Sequence, residues 1–274
     1  MKDPEGVALL QWALPKLRLR WPGFRKVRRQ VYKRIDRRLK ELGLASVAEY
    51  QAYLDAHPAE WASLDALCWI SISRFYRDKG VFQFLGEAVL PQLAQMAVSR
   101  REQDVRCWSI GCAGGEEPYT LAILWQFGLA PRFPSLSVRI LASDVDQQAI
   151  ERAQKGCYLA GSLKDLPEDW RSQALVPSEG MSCVKAEFRR AVSFLAQDIR
   201  HAAPDGLFHL ILCRNVAFTY FDDELQRETL RKITQRLTPG GALVIGSTES
   251  LPAGGSELEV WSQKLGVYRK HAKR

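Results

Sequence analysis

The sequence predicts an α/β fold: an open parallel sheet covered by helices on both faces, preceded by a small basic helical domain. Three observations carry this. From about residue 100, short apolar runs alternate with helical stretches, the pattern of repeated strand–helix–strand units. Upstream of that, apolar residues recur at helical spacing. The charge divides at the same place. Between Lys16 and Lys40 stand 12 Lys/Arg and one acid, Asp36, so this stretch carries +11 in a chain of net +8, and the remainder sums to about −3.

The helical part comes first. Val27, Val31, Ile35 and Leu39 mark one helix face at i+4, and Gly43 stands where a C-terminal glycine ends such a helix. Ser46, with Glu49 three residues on, has the spacing of a capping box and opens a second helix to about Ala56, ended by His57-Pro58. The expected domains are a basic helical domain over residues 1–70, a linker and connecting helix over 71–100, and the sheet domain over 101–274. In the last, VRCWSIG, VRILASDVD, AVSFLAQDI, LFHLILCRN and GALVIGSTES are the expected strands. Glu116–Phe127, Gln147–Gly156 and Asp222–Leu237 are the expected helices between them. Residues 159–190 give only loop signals, at Gly161-Ser162 and Pro177–Gly180.

Composition excludes several classes. At 274 residues with 46% apolar and 26% charged residues the chain has an ordinary globular balance. No apolar run reaches the ~20 residues of a membrane span. The N-terminus MKDPEGVALLQWALPK has acids where a secretory leader is basic. Six cysteines, none in a CxxC pair, do not form an evident disulfide framework. The chain therefore reads as soluble, reduced and cytoplasmic. Its four histidines are scattered, which suggests neither a zinc site nor a catalytic triad.

The chemistry concentrates at strand ends. Gly111-Cys112-Ala113-Gly114-Gly115-Glu116-Glu117-Pro118 follows the first strand, where glycines admit a ligand to the backbone and a helix N-terminus offers N–H groups. It lacks the third glycine of the dinucleotide fingerprint and the Gly-Lys-Ser/Thr of a P-loop. Two acids beside the loop would repel a pyrophosphate but suit a cationic ligand, and S-adenosylmethionine has the matching sulfonium, ammonium and carboxylate. Asp144 ends the second strand, 33 residues after Gly111, where an acid accepts from ribose hydroxyls; alone it fits a helix cap equally well. Asp198-Ile199 ends the third strand, where an acid and a backbone N–H serve an adenine ring. Cys213-Arg214-Asn215-Val216 ends the fourth. Their order points to an S-adenosylmethionine-dependent methyltransferase. No Pro-Pro or Pro-Cys dipeptide marks the amino- or C5-methylating nucleic-acid enzymes.

From about Phe24 onward the sequence resembles the chemotaxis receptor methyltransferases (CheR-type), which methylate receptor glutamates. The resemblance rests on SISRFYRD (71–78), WSIGCAGGEEPYTLA (108–122), LASDVD (141–146), Lys155-Gly156-Cys157-Tyr158, LILCRNVAFTYFD (210–222) and LTPGGALVIGSTESL (237–251). It implies a Rossmann-like class I methyltransferase sheet and cofactor contacts at Ser73, Arg77, Glu117, Asp144, Asp198, Ile199, Asn215 and Val216, with Gly111 in the loop. It also implies that Tyr220 stands near the transferred methyl and that Arg77 holds the substrate or orients the donor, while Phe75 and Tyr76 pack beneath the cofactor. Three departures are visible: Ser71 and Ser73 replace an Asn-x-Thr, Asp198 replaces an asparagine, and the stretch from Asn215 to Tyr220 is one residue longer.

A glutamate acceptor agrees with the absence of an evident base, because its side chain, with a reference pKa of about 4.3, is already ionised at neutral pH. The basic helix then supplies attraction to an acidic helical substrate, with Arg28, Arg29, Lys33, Arg34, Arg37 and Arg38 as the steering residues. Two other readings compete: a methyltransferase for a small molecule or a non-chemotaxis protein, and a cofactor-binding regulatory module whose basic helix binds nucleic acid. Membrane insertion is not expected, and an acidic protein is favoured over nucleic acid as partner.

Overall fold

Among the described residues ten strands follow residue 103: β1 (Asp104–Ile110), β2 (Ser137–Asp144), β3 (Cys157–Tyr158), β4 (Leu175–Ser178), β5 (Met181–Val184), β6 (Val192–Ala196), β7 (Phe208–Cys213), β8 (Leu237–Ile245), β9 (Leu258–Ser262) and β10 (Val267–Lys270). This computed structural model describes residues 2–254 and 257–272, so residue 1 of the expected helical domain and residues 255–256 and 273–274 of the expected sheet domain lie outside the described residues. Seven strands form one sheet in the order β6-β2-β1-β7-β8-β10-β9. The five expected strands pair in parallel, and β10 closes the sheet antiparallel to both β8 and β9. The last two strands were not expected from the sequence, because LEVWS is largely exposed and lacks a continuous apolar run.

The chain divides into two compact units. One comprises Met1–Ile70 with Thr219–Gln226; the other comprises Ser71–Phe218 with Arg227–Arg274. Residues 71–100, expected as a linker and connecting helix, group with the sheet unit. Phe75, Tyr76, Phe82, Leu85, Leu90 and Leu93 all join the sheet unit's core. Their apolar density explains it: burying each large side chain stabilises the fold by roughly 1.5–3 kcal/mol.

In the helical unit the expected elements form where their signals stand. The helix Arg28–Leu42 buries Val31, Ile35 and Leu39, and Gly43 at φ 70° ends it. The helix Val47–Ala56 is capped by Ser46, whose Oγ accepts from the Glu49 N–H at 3.2 Å, while Glu49 Oε2 accepts from the Ala45 N–H. Leu9, Leu10, Val31, Ile35, Tyr50, Leu54 and Leu64 form a fully buried core. Thr219–Gln226 joins this unit through a short antiparallel ladder: Arg20 N–H donates to Tyr220 O and Asp222 N–H to Arg18 O.

Much of the basic charge is used inside the unit, which corrects half of the expected steering set. Arg28 grips Asp3 with two bonds at 2.8 and 3.1 Å. Arg34 donates to the carbonyls of Leu67 and Trp69. Arg38 forks onto Glu60 at 2.9 and 2.7 Å, and Glu60 also accepts from the Tyr50 hydroxyl. Arg29, Lys33 and Arg37 are exposed, together with Lys26 and Lys40, and their spacing of three and four residues makes one stripe.

Residues 159–190, unreadable in sequence, supply β4 and β5, which join β3 in a second sheet of order β3-β5-β4. Glu179 and Gly180, at φ 45° and 76°, make the tight turn joining β4 to β5, and Pro177 lies on the edge strand, where its missing donor is tolerated. Cys157 and Cys183 are directly opposed across β3 and β5 and form a disulfide. This overturns the expectation of a wholly reduced chain. The pairing is invisible in sequence because it depends on register between strands 26 residues apart. Cys68, Cys107, Cys112 and Cys213 are buried free thiols.

Candidate active site

The strand order fixes where a ligand belongs. From β1 the chain proceeds to β2 and β6 on one side, and from β7 it proceeds to β8 on the other, so β1 and β7 flank the point where the winding reverses. Open α/β sheets bind ligands outside the carboxyl ends of the strands at such a point. The register aligns Ile110 with Ser143 and Cys213, and Cys213 with Ile245. The next residues, Gly111, Asp144, Arg214 and Gly246, therefore line this edge together.

The glycine loop is shaped by contacts that leave no room for a side chain. Gly111 sits at φ 68°, and a Cβ there would lie 2.3 Å from a Val216 methyl. Its N–H and that of Cys112 both donate to the Ser143 carbonyl. Gly115, at φ 90°, starts the helix Glu116–Leu124, and a Cβ there would press on Ala153 and on the Tyr158 hydroxyl. Tyr158 in turn donates to the Gly114 carbonyl at 2.7 Å, so the loop is held from the small sheet as well.

Asp144 is buried and accepts the Ala113 N–H at 2.8 Å on one oxygen and the Asp146 N–H at 2.9 Å on the other. Burial pushes its carboxyl above the usual carboxylate range, against the pull of those donors. It therefore anchors the loop itself, through backbone donors that include Val145. Glu116 is also buried, raised by desolvation and touched by the Ser73 hydroxyl, with Oε2 left unpartnered. Glu117 accepts from Ser109 Oγ at 2.8 Å and from Arg214 at 2.8 Å.

Asn215 adopts φ 56° and its N–H donates to Glu249 Oε2, which also accepts the Gly246 N–H. Arg77 folds its guanidinium toward the Ile72 carbonyl at 3.2 Å. Phe75 and Tyr76 are buried packing residues.

Two expected site residues are placed differently. The Asp198 carboxylate, expected on an adenine amino group, is filled by the Arg200 N–H and guanidinium at 2.8–3.1 Å. Arg200, two residues on, reaches back to it; a neutral asparagine there would not attract that charge. Tyr220 belongs with the helical unit, where its ring lies 5.0 Å from Phe24, whereas Asn215 and Val216 belong to the sheet unit. Sequence reasoning assigned no role to Arg214 or Glu249, although both stand inside quoted motifs; an acid between two strand ends and an arginine directly after a buried strand were the available signals. Among the described residues no group of His, Cys, Asp and Glu could hold a metal ion.

The residues at this edge fit S-adenosylmethionine in their donor set. Glu117 and Asp144 offer carboxylate acceptors of the kind an ammonium and ribose hydroxyls need, beside a loop where the Val216 side chain leaves no room for a Cβ at Gly111. Comparison with known proteins agrees. The profile described as CheR methyltransferase, SAM binding domain, matches residues 71–266, and the CheR methyltransferase all-alpha domain matches residues 26–65. A chemotaxis protein methyltransferase of Klebsiella aerogenes is 33% identical over 81% of this chain and 76% of its own length. A 104.1 kDa protein of Rhodobacter capsulatus is 31% identical over 87% of this chain, which spans 25% of that protein. Among solved structures, the N-methyltransferase NodS of Bradyrhizobium japonicum in complex with S-adenosyl-L-homocysteine aligns over 66% of this chain and 84% of its own, at TM-score 0.36 and 20% identity, too loosely to carry weight. The class is thus an S-adenosylmethionine-dependent methyltransferase. The chain belongs to the CheR methyltransferase family.

Proposed function

We propose that the chain O-methylates glutamate carboxylates on an acidic helical protein of the chemoreceptor type. The observation that carries this reading is an exposed cationic stripe, Lys26, Arg29, Lys33, Arg37 and Lys40, in a chain whose sheet edge is lined by carboxylates suited to a cationic donor. The name of the Klebsiella aerogenes relative supports it.

In this reading Asp144 takes the ribose hydroxyls and Glu117 the ammonium, with the loop at Gly111 as the wall beside them. Asn215 and Val216 flank the donor from β7, with Ser73 on the entering segment. With Asp198 committed to Arg200, adenine recognition rests on the backbone at Ile199. When bound, S-adenosylmethionine supplies a methyl group on a sulfonium leaving group. The protein then needs no general base, since the acceptor carboxylate is already ionised. Its task is alignment: Arg77 draws the anionic acceptor to the edge, and water is kept out. The helical unit over residues 1–70 docks the acceptor; the sheet unit performs the transfer.

The test is methyl transfer from a radiolabelled donor to an acidic receptor fragment, followed by mild base. Label released by base is expected. Label that survives alkali, or that appears on small molecules alone, overturns the carboxylate reading. Donor and acceptor are both met in the cytoplasm, where we place the enzyme; no helix among the described residues is long and apolar enough to cross a membrane.

A further inference from the structure

Arg214 is the most enclosed charge at the site, with its side chain 2% exposed. Its guanidinium reaches three acceptors on two segments distant in sequence. Nη1 donates to Glu117 Oε2 at 2.8 Å, and Nη2 donates to Asp78 Oδ2 at 2.6 Å and to the Arg77 carbonyl at 3.1 Å. Its remaining donor, Nε, is buried without a partner. The Phe82 ring lies 5.4 Å from the guanidinium.

Such a group adds little to stability by itself, because the desolvation of a buried ion pair offsets most of its attraction. Its geometry has a sharper use. The segments it joins hold non-glycine residues in the left-handed region: Tyr76 at φ 56°, Asp78 at 60°, Ala113 at 48° and Asn215, its own neighbour, at 56°. Conformations of this kind persist only where the surroundings over-determine them. A planar fork with donors in fixed directions can hold a carboxylate and a second carboxylate–carbonyl pair at once; an ammonium cannot.

We infer that Arg214 is a positioning residue that clasps Glu117 to the Arg77–Asp78 segment, and so sets the carboxylate that meets the donor's ammonium. The inference rests on the proposed role of Glu117 as a cofactor contact. Arg214 touches neither donor nor acceptor in this scheme; it acts through Glu117. With Ser109 on Oε1 and Arg214 on Oε2, the Glu117 carboxylate is held at both oxygens, and each keeps acceptor capacity for a further donor.

The experiment is calorimetric titration of S-adenosylhomocysteine into the whole chain, for the unmodified protein, Glu117→Gln, Arg214→Lys, their combination and Asp78→Asn, each with a melting curve. Arg214→Lys is expected to weaken binding about tenfold while still folding, since lysine keeps the charge and loses the fork. In the double variant the loss should stay within about threefold of the worse single one, because both changes act on one contact. Unchanged affinity in Arg214→Lys, or losses that multiply in the double variant, overturns the clasp. Unchanged affinity in Glu117→Gln instead removes Glu117 from the cofactor site, a separate failure of the reading beneath it. Should Arg214→Lys not fold, Asp78→Asn decides: an affinity loss of about fivefold is expected from loosening one arm, and none overturns the clasp.

Discussion

Asp144 holds the Ala113 and Asp146 N–H groups on its two oxygens, so the residue proposed to accept the ribose is also the anchor of the loop. Its raised pKa carries a sign. A carboxyl whose folded value exceeds its unfolded one favours folding while protonated, and that contribution is lost as pH rises through the folded value. The ionised form is the better acceptor for hydroxyls, so ligand binding should strengthen over the same rise. We expect S-adenosylhomocysteine affinity to fall as pH drops through a value above the ordinary 3.8, and Asp144→Asn to flatten that dependence while weakening binding at neutral pH about tenfold. Calorimetry across pH checks both; an equally steep profile in Asp144→Asn would assign the titration elsewhere. The position is visible in sequence as an acid at a strand end. Asp198 stands at another, and the grip of Arg200 on it depends on a local turn that no pattern encodes.

At the scale of elements, what the sequence made legible followed its periodicity. The i+4 stripe of Val31, Ile35 and Leu39, the cap at Ser46 and the apolar runs of the five parallel strands are local signals, and each formed. The small sheet escaped because β3 has two residues and β4 and β5 four each, too short for alternation to register. Its disulfide yields a direct check. Denatured without reductant, the purified chain should titrate four free thiols, those of Cys68, Cys107, Cys112 and Cys213; six would leave Cys157 and Cys183 reduced. In the helical unit, Glu60 ties two elements through Arg38 and Tyr50, and the Arg38 hydrogen bonds hold its carboxyl below the usual range against burial. Arg38→Ala would leave that carboxylate enclosed with only the Tyr50 and Ser63 hydroxyls, at a cost of about 3 kcal/mol. A thermal melt should show it, and because the Glu60 pKa is depressed, the Arg38 contribution should fade as pH falls through the folded value.

For the whole molecule the governing quantity is where the charge excess remains after internal pairing. Arg28, Arg34 and Arg38 are bound to Asp3, to the Leu67 and Trp69 carbonyls and to Glu60, so reversing them would damage the fold before it touched any partner. Arg29, Lys33 and Arg37, with Lys26 and Lys40, are exposed along one stripe, and the steering argument belongs to them. Reversing Lys33 and Arg37 to glutamate should therefore raise KM for an acidic protein acceptor, leave the melting temperature within a few degrees and leave S-adenosylhomocysteine affinity unchanged. Added salt should act in the same direction, since exposed charges are screened over about 8–10 Å at physiological ionic strength. Salt alone does not separate a protein partner from nucleic acid, which obeys the same trend. Competition does: acidic receptor helices should displace any bound duplex at physiological salt. Tight duplex binding that such helices fail to displace would assign the stripe to nucleic acid, and an unchanged KM in the reversed variant would leave it a solvated surface.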